Sequence, residues 1–296
     1  MTDQPISRKY NLIRSKPQPE EKMVIFKLHQ TQEVIRHVDM KPKMPPVYDQ
    51  GQLGSCVENA IAAAYEYDQI IAGYVAFVLS RLFLYWVVRV KEGTVNEDSG
   101  SSISDALSCL SALGACPEPV WPYDISKFKQ RPSIKAFTTA LKYRGSTHQR
   151  VVQQKEQIKQ SLILGLPILV GIQIYASFES EEVAKTGVVP TPAEGEECLG
   201  GHAVSIVGFD EEKQVYYVRN SWGEGWGDKG YFTLPMSYIH DPKLAYDFWN
   251  INHIPEEQGK VAKLSEFMNI SEVEHDVESF FEKTKNFVSS TLEKFF

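Results

Sequence analysis

The stretch from Gln50 to Tyr67, QGQLGSCVENAIAAAYEY, decides how the rest of the chain is interpreted. Its first five residues, QGQLG, include two glycines and are typical of a turn. Its second half carries apolar residues at helical spacing among strong helix formers, and is predicted to be a helix. A single cysteine, Cys56, lies where the turn gives way to this helix.

The position of Cys56 favours an ionised thiol. The first N–H groups of a helix have no partner within the helix, and the helix dipole is positive at this end. Both effects stabilise a thiolate, which is the nucleophilic form of cysteine. A buried structural cysteine is the alternative, because cysteine is among the most frequently buried residues. This stretch by itself leaves the two alternatives open.

The composition narrows the range of functions. The 296 residues are 43% hydrophobic and 23% charged, as expected for a globular chain with a large core. The formal net charge of −7 argues against a nucleic-acid-binding surface, which is normally basic. Four cysteines in this length do not resemble the dense disulfide framework of a small secreted domain.

No segment is predicted to insert stably into a membrane. The N-terminus is polar and lacks the apolar core of a secretory signal. The apolar run from Ile70 to Val88 has the length of a membrane span, but Ser80 and Arg81 lie near its middle. It is interpreted as a buried helix followed by a second short helix. Cytoplasmic residence and delivery by a non-classical route are both consistent with this pattern.

The N-terminal residues 1–37 have two interpretations. They are polar, with scattered apolar residues and no helical periodicity. They form either an arm that packs as an edge strand or a short inhibitory prosegment that lies in a cleft. The arm is favoured because the segment lacks helical periodicity. A proline-rich lead-in from Lys41 to Pro46 follows, and its prolines predict an extended backbone.

The central residues 38–252 divide into two halves. Residues 47–140 are predicted to be mainly helical, including a helix at 103–113 that ends at Gly114. Residues 150–252 are predicted to form a sheet or barrel, because short β-branched runs alternate with turns. The fold class is therefore α+β, with a ligand site in the cleft between the halves. The predicted strands are 167–174, 203–209, 215–219 and 230–234, and the acidic stretch 177–198 is a predicted loop.

Residues 253–296 are predicted to be an amphipathic helical extension, because phenylalanine, valine and leucine recur there at helical intervals. This helix has three alternative locations: docked on the domain, bound to a protein partner, or lying on a membrane surface. Its polar face mixes glutamate with lysine, which weakens the membrane alternative. A protein partner for this helix remains a hypothesis.

Two short motifs supply candidate catalytic partners for Cys56. GGHAV at 200–204 contains His202, and RNSWGEGWG at 219–227 contains Asn220. The two residues lie on neighbouring predicted strands, so antiparallel pairing could bring their side chains together. Asn220 would then orient the imidazole without adding charge. Trp222 would cover the hydrogen bond between them and keep water away from it.

Together these motifs resemble those of the papain-like, cathepsin-type cysteine peptidases. The matching pieces are QG at 50–51, GSC at 54–56, GHAV at 201–204, NSWG at 220–223, GWG at 225–227 and GYF at 230–232. The resemblance covers roughly residues 38–252. It implies a papain-like two-lobe fold, in which a helical lobe packs against a β-barrel-like lobe with the active site between them. The compact form resembles bacterial and large-virus members more than lysosomal ones.

The resemblance also implies a role for each matching residue. Cys56 would be the nucleophile, His202 the general acid and base, and Asn220 the residue that orients His202. The side-chain amide of Gln50 and the backbone N–H of Cys56 would form the oxyanion hole. The residues expected along the substrate are Gly100, Gly201, Trp222 and, on the leaving-group side, Trp226.

The sequence departs from the family's pattern in three places. Leu53 replaces a cysteine of the family, so that disulfide cannot form, which fits a reducing compartment. Val57 replaces an aromatic residue and leaves that wall of the cleft less bulky. The sequence DSGSS at 98–102 replaces the family's Cys-x-Gly-Gly stretch beside the substrate backbone. Gly100 is expected to retain the close backbone approach there.

The remaining reactive residues have structural interpretations. Cys109 and Cys116 are interpreted as buried thiols, since their spacing does not require a bridge. Asp98 is interpreted as a solvated loop residue, and Arg81 as the partner of a carboxylate at a helix end. Neither a metal nor a cofactor is predicted, because no Cys/His pair has ligand spacing. The histidines interpreted as surface or hydrogen-bonded residues are His148, His240 and His253.

The predicted function is a cysteine endopeptidase that hydrolyses polypeptides through an acyl-enzyme on Cys56. One alternative is a binding protein of the same fold that has lost turnover. A second is an adaptor that acts through the C-terminal helix, and a third is transpeptidation, with an amine in place of water.

Overall fold

A computed structural model describes residues 8–16, 23–26 and 35–253 of the chain. The C-terminal helix predicted at 253–296 therefore lies outside the described residues, apart from the backbone of residue 253. The helices are α1 (Cys56–Ile71), α2 (Arg81–Lys91), α3 (Ile103–Leu113), α4 (Ile134–Ala140), α5 (Lys155–Ile163), α6 (Glu181–Thr186) and α7 (Met236–His240). The strands are β1 (Met23–Val24), β2 (His37–Asp39), β3 (Thr147–Val151), β4 (Ile168–Tyr175), β5 (Cys198–Asp210), β6 (Val215–Arg219), β7 (Tyr231–Pro235) and β8 (Ala245–His253).

Serine caps fix the starts of the helices that surround α1. The Ser80 side chain accepts the N–H of Phe83 at the start of α2, and Ser102 accepts the N–H of Asp105 at the start of α3. α3 ends at Gly114, whose φ of 76° lies in the region that glycine adopts readily. The predicted helix at 103–113 and its terminating glycine are confirmed.

The central helix α1 is buried along most of its length. Alanines at 60 and 62–64 are small enough for α2, α3 and β5 to approach it closely. Arg81, at the start of α2, forms two hydrogen bonds to Glu118 at 2.7 and 2.8 Å and a third to Asn59 in α1 at 2.8 Å. Its predicted pairing with a carboxylate is confirmed, and the pairing also ties α2 to α1.

The β lobe is one eight-stranded sheet with the strand order β1-β3-β8-β4-β5-β6-β7, and β2 pairs with β5. Every pairing is antiparallel except β1 with β3. The four predicted strands correspond to β4, β5, β6 and β7. β3 and β8 were not predicted, because THQRV and AYDFWNINH carry too many polar residues to read as strands.

The acidic stretch at 177–198 is more ordered than predicted. It contains α6, whose start is capped by Ser180, since the serine side chain accepts the N–H of Val183. Two glutamates in the first turn of α6 complement the helix dipole, and Gly187 ends the helix with a φ of 69°. The prediction of a loop throughout 177–198 was therefore wrong.

The apolar run at 70–88 forms the end of α1, a connection and most of α2. Within the described ranges, none of the helices combines the length and the apolar character that a membrane span requires. All four cysteines are free, and Cys109 and Cys116 are buried thiols.

The N-terminal residues occupy two kinds of position. β1 pairs with β3 at the edge of the sheet, and β2 pairs with β5 through Val38 and its neighbours. Residues 8–16 instead run between the two lobes, where Leu12 contacts the buried core. The edge-strand interpretation therefore describes residues 23–24, whereas residues 8–16 lie in the cleft between the lobes.

Candidate active site

Cys56 lies where the two lobes meet. It is the first residue of α1, and its side chain is fully buried. The backbone N–H of Ala203, in β5, donates to Cys56 Sγ at 3.4 Å. Because Ala203 follows His202 in the chain, this contact places the thiol beside the strand that carries the imidazole.

The imidazole of His202 is oriented by Asn220. His202 Nε2 and Asn220 Oδ1 lie 2.9 Å apart, and Asn220 Oδ1 also accepts the N–H of Ser221 at 2.9 Å. An accepting amide oxygen requires a proton on Nε2, which leaves Nδ1 of a neutral ring as a proton acceptor. Nδ1 is buried and has no hydrogen-bond partner in the described part of the chain.

Trp222 covers this hydrogen bond. Its ring stacks on the imidazole of His202 with centroids 5.1 Å apart and an interplanar angle of 27°. Trp226 packs edge-on against Trp222 at 4.8 Å, and Phe178 contacts both indoles. These rings keep water away from the His202–Asn220 hydrogen bond.

Gln50 is held by Ser221, the residue after Asn220. Ser221 Oγ donates to Gln50 Oε1 at 2.6 Å, and the Gln50 N–H donates to the Ser221 carbonyl at 2.9 Å. Gln50 Nε2 donates to the carbonyl of Leu53 at 3.0 Å, within the turn that precedes Cys56. The amide is thereby tied both to the turn before Cys56 and to the segment after β6 that carries Asn220.

Burial makes both reactive groups neutral in this arrangement. It raises the pKa of the Cys56 thiol to about 12, although the Ala203 N–H opposes the shift. It lowers the pKa of His202 to about 4, which the hydrogen bond to Asn220 partly offsets. The N–H groups of Cys56 and Val57 at the start of α1 lower the pKa of the thiol, as expected, but the cost of burying the charge outweighs them and the net shift is upward.

Residues 8–16, here called the cleft segment, lie between the lobes beside the catalytic histidine candidate. The N–H of Leu12 donates to the carbonyl of Gly201 at 3.1 Å. The N–H of Ile13 donates to the carbonyl of Ser101 at 3.1 Å. The cleft segment is therefore hydrogen-bonded to β5 of the β lobe on one side. On the other side it is hydrogen-bonded to Ser101 of the helical lobe, just before α3.

Gly100 and Gly200 allow the cleft segment to come this close. Gly100 has a φ of 75°, and a side chain there would overlap the carbonyl of Asn11. A side chain at Gly200 would meet the carbonyl of Tyr10 at 2.5 Å. The close backbone approach expected at Gly100 is present, with the cleft segment as its occupant.

Leu12 fills an apolar pocket in the β lobe. Its side chain is buried, and a Cβ added to Gly171 would lie 2.7 Å from Leu12 Cδ2. Gly201 lies on another side of the same pocket. A Cβ added at either glycine would collide with Tyr246. Two glycines and one tyrosine therefore shape a pocket that accepts a branched aliphatic side chain.

The N-terminal end of the cleft segment lies on the tryptophans. The Arg8 guanidinium is 4.0 Å from the ring centroid of Trp222 and forms an ion pair with Glu179 at 3.1 Å. Tyr10 meets the His202 ring edge-on, with centroids 6.1 Å apart. This end therefore covers the side of the cleft where the leaving group is expected, next to Trp226.

Asp98 is a structural centre of the cleft, so its interpretation as a solvated loop residue was wrong. Asp98 Oδ1 accepts the N–H of Gly54 at 3.0 Å and the hydroxyl of Tyr85 at 2.5 Å. Asp98 Oδ2 pairs with Lys9 of the cleft segment at 2.6 Å. The available signal was its position at the start of the DSGSS stretch, two residues before Gly100.

Glu58 is a buried acid that sequence reasoning missed. It is fully buried two residues after Cys56, and Ser101 Oγ donates to Glu58 Oε1 at 2.6 Å. Burial raises its pKa to about 7, although the Ser101 hydrogen bond opposes the shift. The available signal was a charged residue among the small apolar residues of α1.

The described residues contain no cluster of histidine, cysteine, aspartate and glutamate that could hold a metal ion. The chemistry available at the site is instead that of a thiol, an imidazole and the amide groups around them.

A buried cysteine at the start of a central helix, facing a strand that carries a histidine held by an asparagine, defines a thiol peptidase of the papain type. The chain belongs to the papain family of cysteine proteases, whose family model matches residues 34–245. The predictions of family, α+β two-lobe fold and enzyme class are confirmed, and polypeptides are the substrate class.

Relatives and solved structures agree with this assignment. The chain is 36% identical over 276 residues to an uncharacterized peptidase C1-like protein of Acanthamoeba polyphaga mimivirus, covering 85% of this chain and 89% of that protein. It is 34% identical to xylellain, a cysteine protease from Xylella fastidiosa, with a TM-score of 0.77 over 84% of this chain and 98% of that structure. Procathepsin L 3 of the Tenebrio molitor larval midgut, at 18% identity and a TM-score of 0.60 over 83% and 76%, shares the fold. The predicted resemblance to bacterial and large-virus members is confirmed.

Glu58→Gln should make the free energy of unfolding less dependent on pH. The folded carboxyl has a pKa of about 7 against an ordinary value of 4.5, so the folded state holds its proton more tightly than the unfolded chain. The protonated carboxyl therefore contributes to the free energy of unfolding at low pH. This contribution, on the order of 3 kcal/mol, is lost as pH rises from about 4.5 to about 7. Urea unfolding at pH 5 and pH 8 measures the difference between the two values for each protein.

The matched control is Glu212→Gln in the exposed turn between β5 and β6, which should leave the pH dependence unchanged. A Glu58→Gln protein with the same loss of stability between pH 5 and pH 8 as the wild type would contradict the assignment.

Proposed function

We propose that the chain is a cysteine endopeptidase that cleaves peptide bonds through an acyl-enzyme on Cys56. The convergence of three distant segments supports this proposal: the first residue of α1, the imidazole in β5 and the asparagine that follows β6. The Ala203 N–H contact carries the proposal, because it places the thiol beside the histidine strand.

The chemistry follows from the proton positions. With Nε2 protonated and bound to Asn220, His202 Nδ1 can take the thiol proton of Cys56. The thiolate then attacks the peptide carbonyl, and the oxyanion accepts hydrogen bonds from the Gln50 amide and the Cys56 N–H. His202 returns its proton to the leaving amine. Water, deprotonated by His202, then attacks the thioester and releases the acid and the thiol.

This cycle requires the cleft segment to leave. With the segment in place the thiol is fully buried, and both reactive groups are neutral. Departure of residues 8–16 would admit water to Cys56 and His202. Solvation of the charged forms then brings the two pKa values closer together and permits an ion pair.

We infer in the same way that the cleft segment is an inhibitory prosegment. Its N-terminal end lies on Trp222, on the leaving-group side, and its C-terminal end lies past the Leu12 pocket. A substrate runs the other way, since the part N-terminal to the cleaved bond becomes the acyl group. The reversed direction supports inhibition without cleavage of the segment.

Cys56 and Gln50 variants test the peptidase proposal. In full-length protein carrying Leu12→Asp, hydrolysis of a fluorogenic peptide amide should be abolished by Cys56→Ala. Gln50→Ala should lower kcat by roughly 100- to 1,000-fold with a smaller change in KM, because an oxyanion donor acts mainly in the transition state. Steady-state kinetics with active-site titration by an epoxide inhibitor measures both effects.

The catalytically silent alternative predicts a different outcome. A binding protein of this fold would show neither hydrolysis nor inhibitor labelling of Cys56, although the peptide would still bind.

Leu12→Asp should expose the thiol in the full-length protein. Leu12 is 8% exposed, and removing a leucine from an apolar pocket costs about 1.5–3 kcal/mol, before the cost of burying a carboxylate. The segment should therefore leave the cleft, and alkylation of Cys56 by iodoacetamide should accelerate by at least roughly tenfold. Mass spectrometry of the Cys56 peptide measures the rate separately from that of the exposed Cys198.

Ile13→Asp is the matched control, because Ile13 is the neighbouring residue and is 39% exposed. Equal alkylation rates for Leu12→Asp, Ile13→Asp and the wild type would remove the inhibitory role of the cleft segment.

A further inference from the structure

A β-bulge in β8 lies at the C-terminal end of the cleft segment. Leu169 pairs with Trp249 and Gly171 pairs with Tyr246, so two steps along β4 correspond to three along β8. Asp247 lies inside this interval with a φ of 56°, a conformation that is uncommon for residues other than glycine. Bulges of this kind redirect a side chain and are frequent beside active sites.

The bulge gives Asp247 an unusual environment for a carboxylate. Its side chain is only 3% exposed. Asp247 Oδ1 pairs with Arg150 at 3.2 Å, and Oδ2 accepts the backbone N–H of Ser15 at 2.6 Å. One oxygen therefore has a partner from the β lobe itself, whereas the other is satisfied by the cleft segment.

Space for a longer ligand is present at this point. A cavity of about 560 Å³ is lined by Asp247, Tyr246 and Gln153 from the β lobe together with Arg14 and Ser15 of the cleft segment. The Arg14 guanidinium lies 4.6 Å from the ring centroid of Tyr246. The same tyrosine borders the Leu12 pocket, so the cavity continues the cleft beyond that pocket.

Departure of the cleft segment would leave Asp247 Oδ2 without the donor that Ser15 supplies. A buried carboxylate oxygen without a donor is unfavourable, so a ligand that brings an N–H there gains a charge-assisted hydrogen bond. Arg150 already neutralises much of the charge of the Asp247 carboxylate. Asp247 is therefore expected to favour a ligand that donates a hydrogen bond over one that carries a cationic side chain.

We propose that Asp247 is a specificity-determining residue that accepts a main-chain nitrogen donor of the substrate on the acyl side of the cleft. The inference rests on the proposed peptidase function and extends its substrate class to polypeptides that continue well beyond the Leu12 pocket. Ser15 lies three residues from Leu12, a reach of roughly 10 Å in extended chain. The donor is either an amide N–H within a longer chain or the α-ammonium group of a chain that ends there.

A ladder of fluorescent peptides tests this proposal. Each peptide carries a leucine for the Leu12 pocket, and the series adds one alanine at a time at the N-terminal end. Binding is measured by fluorescence anisotropy to full-length Cys56→Ala, Leu12→Asp protein, which cannot turn the peptides over. Affinity should increase at least roughly tenfold when the third alanine is added, as expected for a hydrogen bond to a charged group.

Asp247→Asn, added to the same protein, should remove this step. Asparagine tolerates the positive φ, and its amide oxygen can still accept a hydrogen bond from Arg150. In that orientation the amide N–H₂ faces the nitrogen donor of the ligand, so no hydrogen bond forms between them. Glu212→Gln is the control for a change of charge at an exposed site. The proposal would be overturned if the affinity did not increase sharply at the third alanine. It would also be overturned if the increase were equally large in the Asp247→Asn protein.

Two arms separate the sources of the donor. If an amide is bound, N-methylation at the third alanine removes the step and N-terminal acetylation does not. If the α-ammonium group is bound, acetylation removes the step and further extension weakens binding. A step in binding without turnover of the same peptides by the Cys56-containing protein would show that the subsite exists and that the peptidase proposal fails.

Discussion

The contact between the first turn of α1 and β5 is the constraint on which the rest of the structure depends. It brings Cys56 Sγ to the N–H of Ala203, and so fixes the thiol beside the strand that carries His202. Small residues make the approach feasible on both sides, with alanines along α1 and the GGHAV motif in β5. Asn220 then needs only the β5–β6 pairing to reach the imidazole. The three side chains of the proposed mechanism are thus assembled by one packing contact and one strand pair.

The same burial determines the charge state of the site. A thiol at a helix start is favoured as a thiolate only while water can reach it, because the helix end contributes far less than full desolvation removes. With the cleft segment over Trp222 and in the Leu12 pocket, desolvation dominates, and the pKa values of Cys56 and His202 move apart. In the proposed inhibition, occupation of the cleft therefore blocks access to Cys56 and also removes the ion pair that the proposed chemistry uses.

Local patterns predicted the parts of the fold that local sequence determines. The helix at 103–113 has a serine cap, an apolar face and a terminal glycine, and the structure reproduces its bounds. The motif around Asn220 allowed a specific prediction because the order of the family's pieces is distinctive. β8 was not predicted, because its polar residues obscure a strand pattern in the sequence and become buried only through pairing with β3 and β4. The role of Asp98 and the pKa of Glu58 likewise depend on neighbours distant in sequence, which a linear pattern does not display.

Direction distinguishes the proposed inhibitor from a substrate. The carbonyls of Gly201 and Ser101 accept N–H groups from an extended chain, and such groups occur along the chain whichever way it runs. The pocket bordered by Tyr246 likewise binds a side chain. The proposed reaction, by contrast, needs a carbonyl carbon presented to Cys56 with its leaving amine toward His202. A reversed chain can therefore satisfy the binding groups without presenting a cleavable bond. Binding and turnover are separable in this cleft because the groups that hold the backbone are less sensitive to direction than the groups that react with it.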